Sequence, residues 1–180
     1  LARSRGLALH LDGARLFNAA VASGVSVGEI TQHFDSVSVC FSKGLGAPIG
    51  SALCGSREFI ARAHRVRKMA GGGMRQAGLL AAAADHALTH HIERLADDHA
   101  LARRLAEGLQ GIGGLGVAMP QTNIVFAQVG DGRGAALLEH LRKRGVLATG
   151  LIGLRFVTHL DVDAAGIDTA IAAVREFFTH

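Results

Sequence analysis

Lys43 is the residue whose type and setting point most directly to covalent chemistry. The chain carries 16 Arg but only three Lys, at positions 43, 68 and 143. Burial can strip the proton from a lysine, which arginine does not allow, and the neutral amine is nucleophilic. Such an amine can form a Schiff base with a carbonyl. Lys43 stands where two kinds of sequence meet. Ser36-Val37-Ser38-Val39-Cys40-Phe41 alternates and is rich in β-branched and apolar side chains, the pattern of a buried strand. Gly44-Leu45-Gly46-Ala47-Pro48-Ile49-Gly50 carries three Gly and one Pro and must turn. A strand that ends in such a turn would deliver the amine to one end of a sheet. A solvated strand-end lysine is the competing reading.

Two further residues share that kind of placement. Asp12 ends a short apolar run, Leu7 to Leu11, and precedes a helical pattern. Open α/β sheets put ligand-binding groups at the carboxyl ends of strands. An aspartate before a helix is also a common N-cap, so that reading stays open. Arg155 interrupts the apolar run Leu151-Ile152-Gly153-Leu154-Arg155-Phe156-Val157. A buried charge is costly unless paired, and arginine suits a carboxylate through two parallel hydrogen bonds. The alternative is an arginine on the open face of a sheet. A strand-end Asp, a strand-end Lys and a carboxylate-type Arg are together what pyridoxal phosphate chemistry requires. The lysine holds the cofactor, the aspartate keeps the pyridine nitrogen protonated, and the arginine anchors the amino acid.

The elements that must position these groups can be read in chain order. A strand over 7–11 leads into a helix over 16–23, closed by Gly24, and a short helix over 27–34 follows with Ser26 as its cap. The Lys43 strand comes next, and a strand over 51–54 returns beside it, so that Lys43 lies in a hairpin-like connection. Residues 57–69 are helical with Phe59, Ile60, Ala63 and Val66 on the apolar face, and Ala70-Gly71-Gly72-Gly73 breaks the helix. Helical spacing then persists from about 74 to about 110, on the order of 50 Å at ~1.5 Å per residue. That length bridges two cores. Strands over 116–119 and 123–129, a helix over 133–144, strands over 146–151 and 154–159, and a helix over 161–178 complete an α+β layer. The expected domains are 1–73, the end of a large cofactor-binding domain; 74–110, a bridging helical region; and 111–180, a small α+β domain.

Composition narrows the classes. Hydrophobic residues make up 49% and charged residues 19%, a globular balance. No apolar run is long enough to span a bilayer, so no membrane partner is expected. The formal charge is +4, and six basic residues cluster between Arg57 and Arg75 with Glu58 as the one acid. All eight aromatics are Phe, and only Phe59 lies in that cluster, which argues against a base-stacking nucleic-acid surface. A small anion or a subunit contact explains the cluster better. Cys40 and Cys54 fall on apolar runs and are expected as buried free thiols in a reducing compartment. His86 and His90 have ligand-like spacing, but no carboxylate accompanies them at metal-site spacing, and no metal is expected. The glycines after Lys43 do not fit a dinucleotide fingerprint, because the third comes late and Pro48 intervenes.

Four stretches carry a resemblance to a known family. His10-Leu11-Asp12-Gly13-Ala14-Arg15, Ser42-Lys43-Gly44-Leu45-Gly46-Ala47-Pro48, Arg67-Lys68-Met69-Ala70-Gly71-Gly72-Gly73-Met74-Arg75-Gln76 and Arg155-Phe156-Val157-Thr158-His159 resemble, in order, the low-specificity L-threonine aldolases. These are fold-type-I enzymes of the β-eliminating lyase group. The resemblance implies an α/β, aspartate-aminotransferase-like fold, truncated at its N-terminal side, with a C-terminal α+β small domain. It implies pyridoxal 5'-phosphate as cofactor and an amino acid as substrate. In this resemblance Lys43 is the Schiff-base lysine and Asp12 pairs the pyridine nitrogen. Arg15 lies beside cofactor and substrate carboxylate, Arg155 binds that carboxylate, and Lys68 and Arg75 help hold the phosphate. The implied reaction is retro-aldol cleavage of L-threonine or L-allo-threonine to glycine and acetaldehyde, in a cytoplasmic homo-oligomer, dimer or tetramer. The family's N-terminal half, with its phosphate loop and ring-stacking histidine, has no counterpart here. The chain therefore reads as part of a longer protein and is expected to be inactive alone. Another fold-type-I lyase or aminotransferase, or a non-catalytic fragment that packs against a partner half, are the readings that compete.

Overall fold

The computed structural model describes residues 1–150 and 153–179. The chain divides into two compact units, Leu1–Arg94 and Leu95–His180.

The first unit is built on a three-stranded sheet. Strands β1 (His10–Gly13), β2 (Ser36–Cys40) and β3 (Ser51–Gly55) lie in the order β1-β2-β3. β1 and β2 run parallel, with Asp12 opposite Ser38, and β2 and β3 run antiparallel, with Val37 opposite Cys54. Parallel neighbours need a crossover, which helices α1 (Leu16–Ser23) and α2 (Val27–Thr31) supply. Asp35 fastens the start of the parallel pair. Its Oδ2 accepts from the Leu9 amide at 2.7 Å, and its own amide donates to the Leu9 carbonyl at 2.8 Å. α2 begins with a reciprocal cap in which Ser26 accepts from the Glu29 amide and Glu29 accepts from the Ser26 amide. Those bonds hold the fully exposed Glu29 carboxyl below its usual range.

Helices α3 (Arg57–Met69) and α4 (Gly78–His90) complete the unit. Ser56 caps α3 by accepting from the Phe59 amide at 3.2 Å. The apolar face expected for this helix is only partly used: Phe59, Ile60 and Ala63 are half-buried, while Val66 is exposed. Cys40 is half-buried and Cys54 exposed, both as free thiols. This corrects the expectation of two buried cysteines, because β3 is an edge strand with most of its residues in solvent.

The helical stretch over 74–110 consists of two helices, α4 and α5 (Leu95–Leu109), with 91–94 between them. No Gly or Pro marks that interruption in the sequence. It coincides with a tertiary contact, since His91, the C-cap of α4, turns its ring to the Leu45 carbonyl.

The second unit has the antiparallel sheet β4 (Leu115–Val117), β5 (Ile124–Val129) and β6 (Leu154–Val157), in that order. With α5 it includes α6 (Gly134–Lys143) and α7 (Ala164–Thr179). Alternation sends Val125, Ala127, Leu154 and Phe156 to one face, where they join a core with Leu105, Leu109, Leu137, Leu141, Ile167 and Val174 from the three helices. The strand expected over 146–151 is not formed among the described residues, and Leu151 and Ile152 lie outside them. Val146 instead closes α6 by donating its amide to the Leu141 carbonyl at 2.9 Å. Only Thr149 bridges to Arg155. Among the described residues no helix is long and apolar enough to cross a membrane, and no cluster of His, Cys, Asp and Glu could hold a metal.

Candidate active site

Asp12 and Lys43 are brought to the same end of one sheet by strand direction. β1 and β2 are parallel, so both leave the sheet at their carboxyl ends on the same side. Asp12 is one residue from the end of β1, and Lys43 lies three residues past the end of β2. This carboxyl edge is where parallel α/β sheets bind ligands. Both residues are exposed. The N-cap reading of Asp12 is settled by geometry. α1 begins at Leu16 with Arg15 in the cap position, and Asp12 Oδ1 accepts instead from the Ala14 amide at 3.1 Å. That short turn steadies the carboxylate, and Oδ2 accepts no described hydrogen bond.

Gly13 explains why the motif needs a glycine beside the aspartate. A Cβ there would lie 2.5 Å from the Ser38 carbonyl oxygen and 3.3 Å from Leu16 Cβ. The missing side chain lets β1 and the start of α1 press against β2. Strand alternation then turns Asp12 to the sheet face opposite the one Gly13 gives to α1. Arg15 is half-buried beside this turn, and its carbonyl accepts from the Ala19 amide at 3.0 Å.

The turn that carries Lys43 is tied to itself and to one histidine. The Gly46 amide donates to the Lys43 carbonyl at 2.9 Å, the Ala47 amide to the Phe41 carbonyl at 3.0 Å, and the Phe41 amide to the Gly50 carbonyl at 2.9 Å. Leu45 and Ala47 are buried and anchor the turn beneath the exposed lysine. His91 Nδ1 lies 2.6 Å from the Leu45 carbonyl oxygen. The rings of His86 and His90 are 4.5 Å apart, and those of His86 and His91 5.3 Å. The spacing of His86 and His90 stands out in the sequence, and that of His91 does not. Its partner is a backbone carbonyl 46 positions away, which leaves no signal in residue types.

Lys68 and Arg75 flank the glycine break after α3, and both are exposed. Gly71 has a left-handed φ of 86°, and a Cβ on Gly73 would lie 2.5 Å from Lys68 Nζ. The ammonium therefore rests over the glycine run. Neither cation forms an ion pair with a described residue. Arg155 belongs to the second unit. It is half-buried on β6 opposite Phe126, on the face that the three helices leave uncovered, and its side chain has no described ion-pair partner. The open-face alternative therefore describes its position in the sheet.

A primary amine, a steadied carboxylate and unpaired cations in one unit suit a ligand with a carbonyl, a basic ring nitrogen and a phosphate. Comparison with known proteins gives the family. The profile of the family "Beta-eliminating lyase" matches residues 1–131. The chain is 49% identical to a low specificity L-threonine aldolase of Escherichia coli (strain K12) over 178 residues, 99% of this chain and 53% of that protein. It is 54% identical to a probable low-specificity L-threonine aldolase 2 of Arabidopsis thaliana over 131 residues, 72% of this chain and 37% of that one. Its fold matches that of the Leishmania major threonine aldolase with a TM-score of 0.78, at 20% identity, over 98% of this chain and 54% of the other. The chain thus spans about half the length, or less, of the curated relatives it matches.

Proposed function

The chain belongs to the beta-eliminating lyase family, and from that premise we propose that it forms part of a longer, pyridoxal-phosphate-dependent protein that cleaves L-threonine or L-allo-threonine to glycine and acetaldehyde. The observation that carries this reading is the pairing of Asp12 and Lys43 at the carboxyl edge of two adjacent parallel strands. The bound cofactor would supply an electron sink for the pair released when the Cα–Cβ bond breaks.

The chain's own residues have separate tasks. The Lys43 amine holds the cofactor covalently. The Asp12 carboxylate, steadied by the Ala14 amide, keeps a proton on the ring nitrogen. Lys68 and Arg75 neutralise phosphate, for which their lack of ion-pair partners leaves them available. Arg15 and Arg155 bind the substrate carboxylate, Arg155 through its planar fork. The β-hydroxyl gives up its proton as acetaldehyde leaves, and Cα takes a proton to give glycine. The same reading favours a homo-oligomer.

Borohydride reduction of the cofactor-loaded full-length protein, followed by peptide mapping, is expected to label Lys43. Label on Lys68 or Lys143 overturns the assignment. Product analysis separates the chemistry: glycine with acetaldehyde supports the aldolase reading, whereas pyruvate with ammonia, or a keto acid, replaces it with a β-elimination or a transamination.

A further inference from the structure

We propose that His91 is a positioning residue for Lys43, acting through the Leu45 carbonyl; the inference rests on the covalent role of Lys43 proposed above. A carbonyl oxygen can only accept, so at 2.6 Å His91 must carry its proton on Nδ1 and donate it. The acceptor is partly shielded: Leu45 is 2% exposed and Gly44 is buried, while Gly46, which shares the peptide plane of the Leu45 carbonyl, is exposed. Losing the donor would remove the one described hydrogen bond to that carbonyl.

The consequence reaches Lys43 through two peptide planes. The other described hydrogen bonds of the turn are internal to residues 40–50: Gly46 to Lys43, Ala47 to Phe41, Phe41 to Gly50, and the Cys40–Ser42 side-chain contact. These bonds fix the turn's shape. The ends of the turn are held by the pairing of Cys40 with Ser51 and its middle by the buried Leu45 and Ala47 side chains, and His91 supplies the one described hydrogen bond from the turn to another element. His91, at the C-cap of α4, ties it to a helix whose Ala84 and Ala87 are buried. With the Leu45 carbonyl pinned and the Lys43 carbonyl held by the Gly46 amide, the backbone on the C-terminal side of Lys43 has little freedom. That in turn fixes the direction in which Lys43 leaves the backbone. A displacement of about 1 Å at a reacting group can cost on the order of a hundredfold in rate. His86 packs against the His91 ring and limits its rotation.

The test uses the full-length protein and two substitutions. His91→Phe keeps the ring volume and removes the donor. His91→Asn offers an amide N–H near the place of Nδ1. The first readout is the rate at which pyridoxal phosphate becomes attached at Lys43, followed by absorbance after mixing with cofactor-free protein. The second is turnover of L-threonine, with kcat and KM separated. His91→Phe is expected to slow attachment and to lower kcat, each by roughly tenfold, with KM nearly unchanged, as a modest displacement of the amine demands. His91→Asn is expected to recover most of both. Attachment by His91→Phe at the wild-type rate, or His91→Asn no better than His91→Phe, overturns the proposal. If His91→Phe fails to fold, NMR of the unsubstituted protein decides: a slowly exchanging His91 Nδ1 proton supports the role, and its absence overturns it. Attachment does not depend on the amino acid, so normal attachment without threonine cleavage overturns the proposed substrate and leaves His91 to be judged on the attachment rates.

Discussion

At the scale of single residues, Asp12 separates structure from chemistry. Its one described bond goes to the Ala14 amide, and α1 takes Arg15 as its cap. Asp12→Ala in the full-length protein should therefore cost only about 1 kcal/mol of stability, the worth of one exposed hydrogen bond. Turnover should fall by orders of magnitude, because the ring nitrogen loses its counter-charge. Thermal unfolding and kcat measured on the same sample check both halves, and near-normal turnover in the folded variant rejects the assigned role. His99 gives a second prediction. Burial pushes its pKa below the usual value, against a smaller upward pull from Asp98. Between the lowered value and about 6.5 the unfolded chain binds a proton that the folded chain refuses. Stability should therefore rise with pH through that window. His99→Gln should flatten this part of the stability–pH profile, and an unchanged slope would exclude His99 as its source. The placement of Lys43 and Asp12 at one end of a sheet was legible in the sequence because each follows an apolar strand pattern. His91 was not, because its partner is main chain.

At the scale of elements, a buried polar link holds β5, β6 and α5 together. Thr158 Oγ1 donates to the Asp98 carbonyl at 2.6 Å, Asn123 Nδ2 donates to the Thr158 carbonyl at 2.7 Å, and the Thr158 amide donates to the Asn123 carbonyl at 3.0 Å. All three residues are buried, so no water stands ready to substitute. Thr158→Val keeps the shape and removes the hydroxyl with its bond to the Asp98 carbonyl, at a cost of about 1 kcal/mol, the worth of one hydrogen bond. Thr158→Ser should recover most of that loss. Urea unfolding of the two variants checks the difference, and equal stabilities would show that the hydroxyl is not what matters. Elements with strong periodicity and end signals were legible: α1 with Gly24 behind it, α3 from Arg57 to Met69, and α6 and α7 within a few residues. The elements that sequence misjudged were decided by hydrogen bonds and strand positions that residue types do not show. Residues 146–151 have strand-like composition, but the Val146 amide is taken by α6. The stretch over 74–110 keeps helical spacing without a break signal, and the structure interrupts it at His91. The valines and cysteines of β2 and β3 suggest a buried pair, yet β3 lies at an edge.

At the scale of the molecule, the two units differ in how much core each owns. The second has a continuous cluster from α5, α6, α7 and two strands, including fully buried Leu109, Val125, Leu137, Leu141 and Val174. The first buries only Leu16, Val37, Leu45, Ala47, Ala84 and Ala87 among its apolar residues. It leaves Val66, Met69, Met74 and Leu79 between 62% and 81% exposed, and β1 has a strand neighbour on one side only. Open strand edges and exposed apolar side chains favour association with other chains. Local stability follows buried apolar contacts. These 180 residues expressed alone should therefore be unevenly stable, bind pyridoxal phosphate weakly and release no acetaldehyde from threonine. Lys43 and Asp12 would be present, but on a sheet whose own unit supplies little core beneath it. Hydrogen exchange on the isolated chain is the direct measurement. Amides of Ile124 to Val129, paired with β6 over 124–127 and with β4 over 127–129 and backed by the cluster, should exchange more slowly than those of Val37 to Cys40. β2 is the more fully paired strand, flanked on both sides over 36–39, so slower exchange in β5 would arise in spite of pairing and report the contribution of the core. Equal protection in the two strands, together with threonine-dependent acetaldehyde release, would show that the first unit needs no further chain to order its catalytic edge.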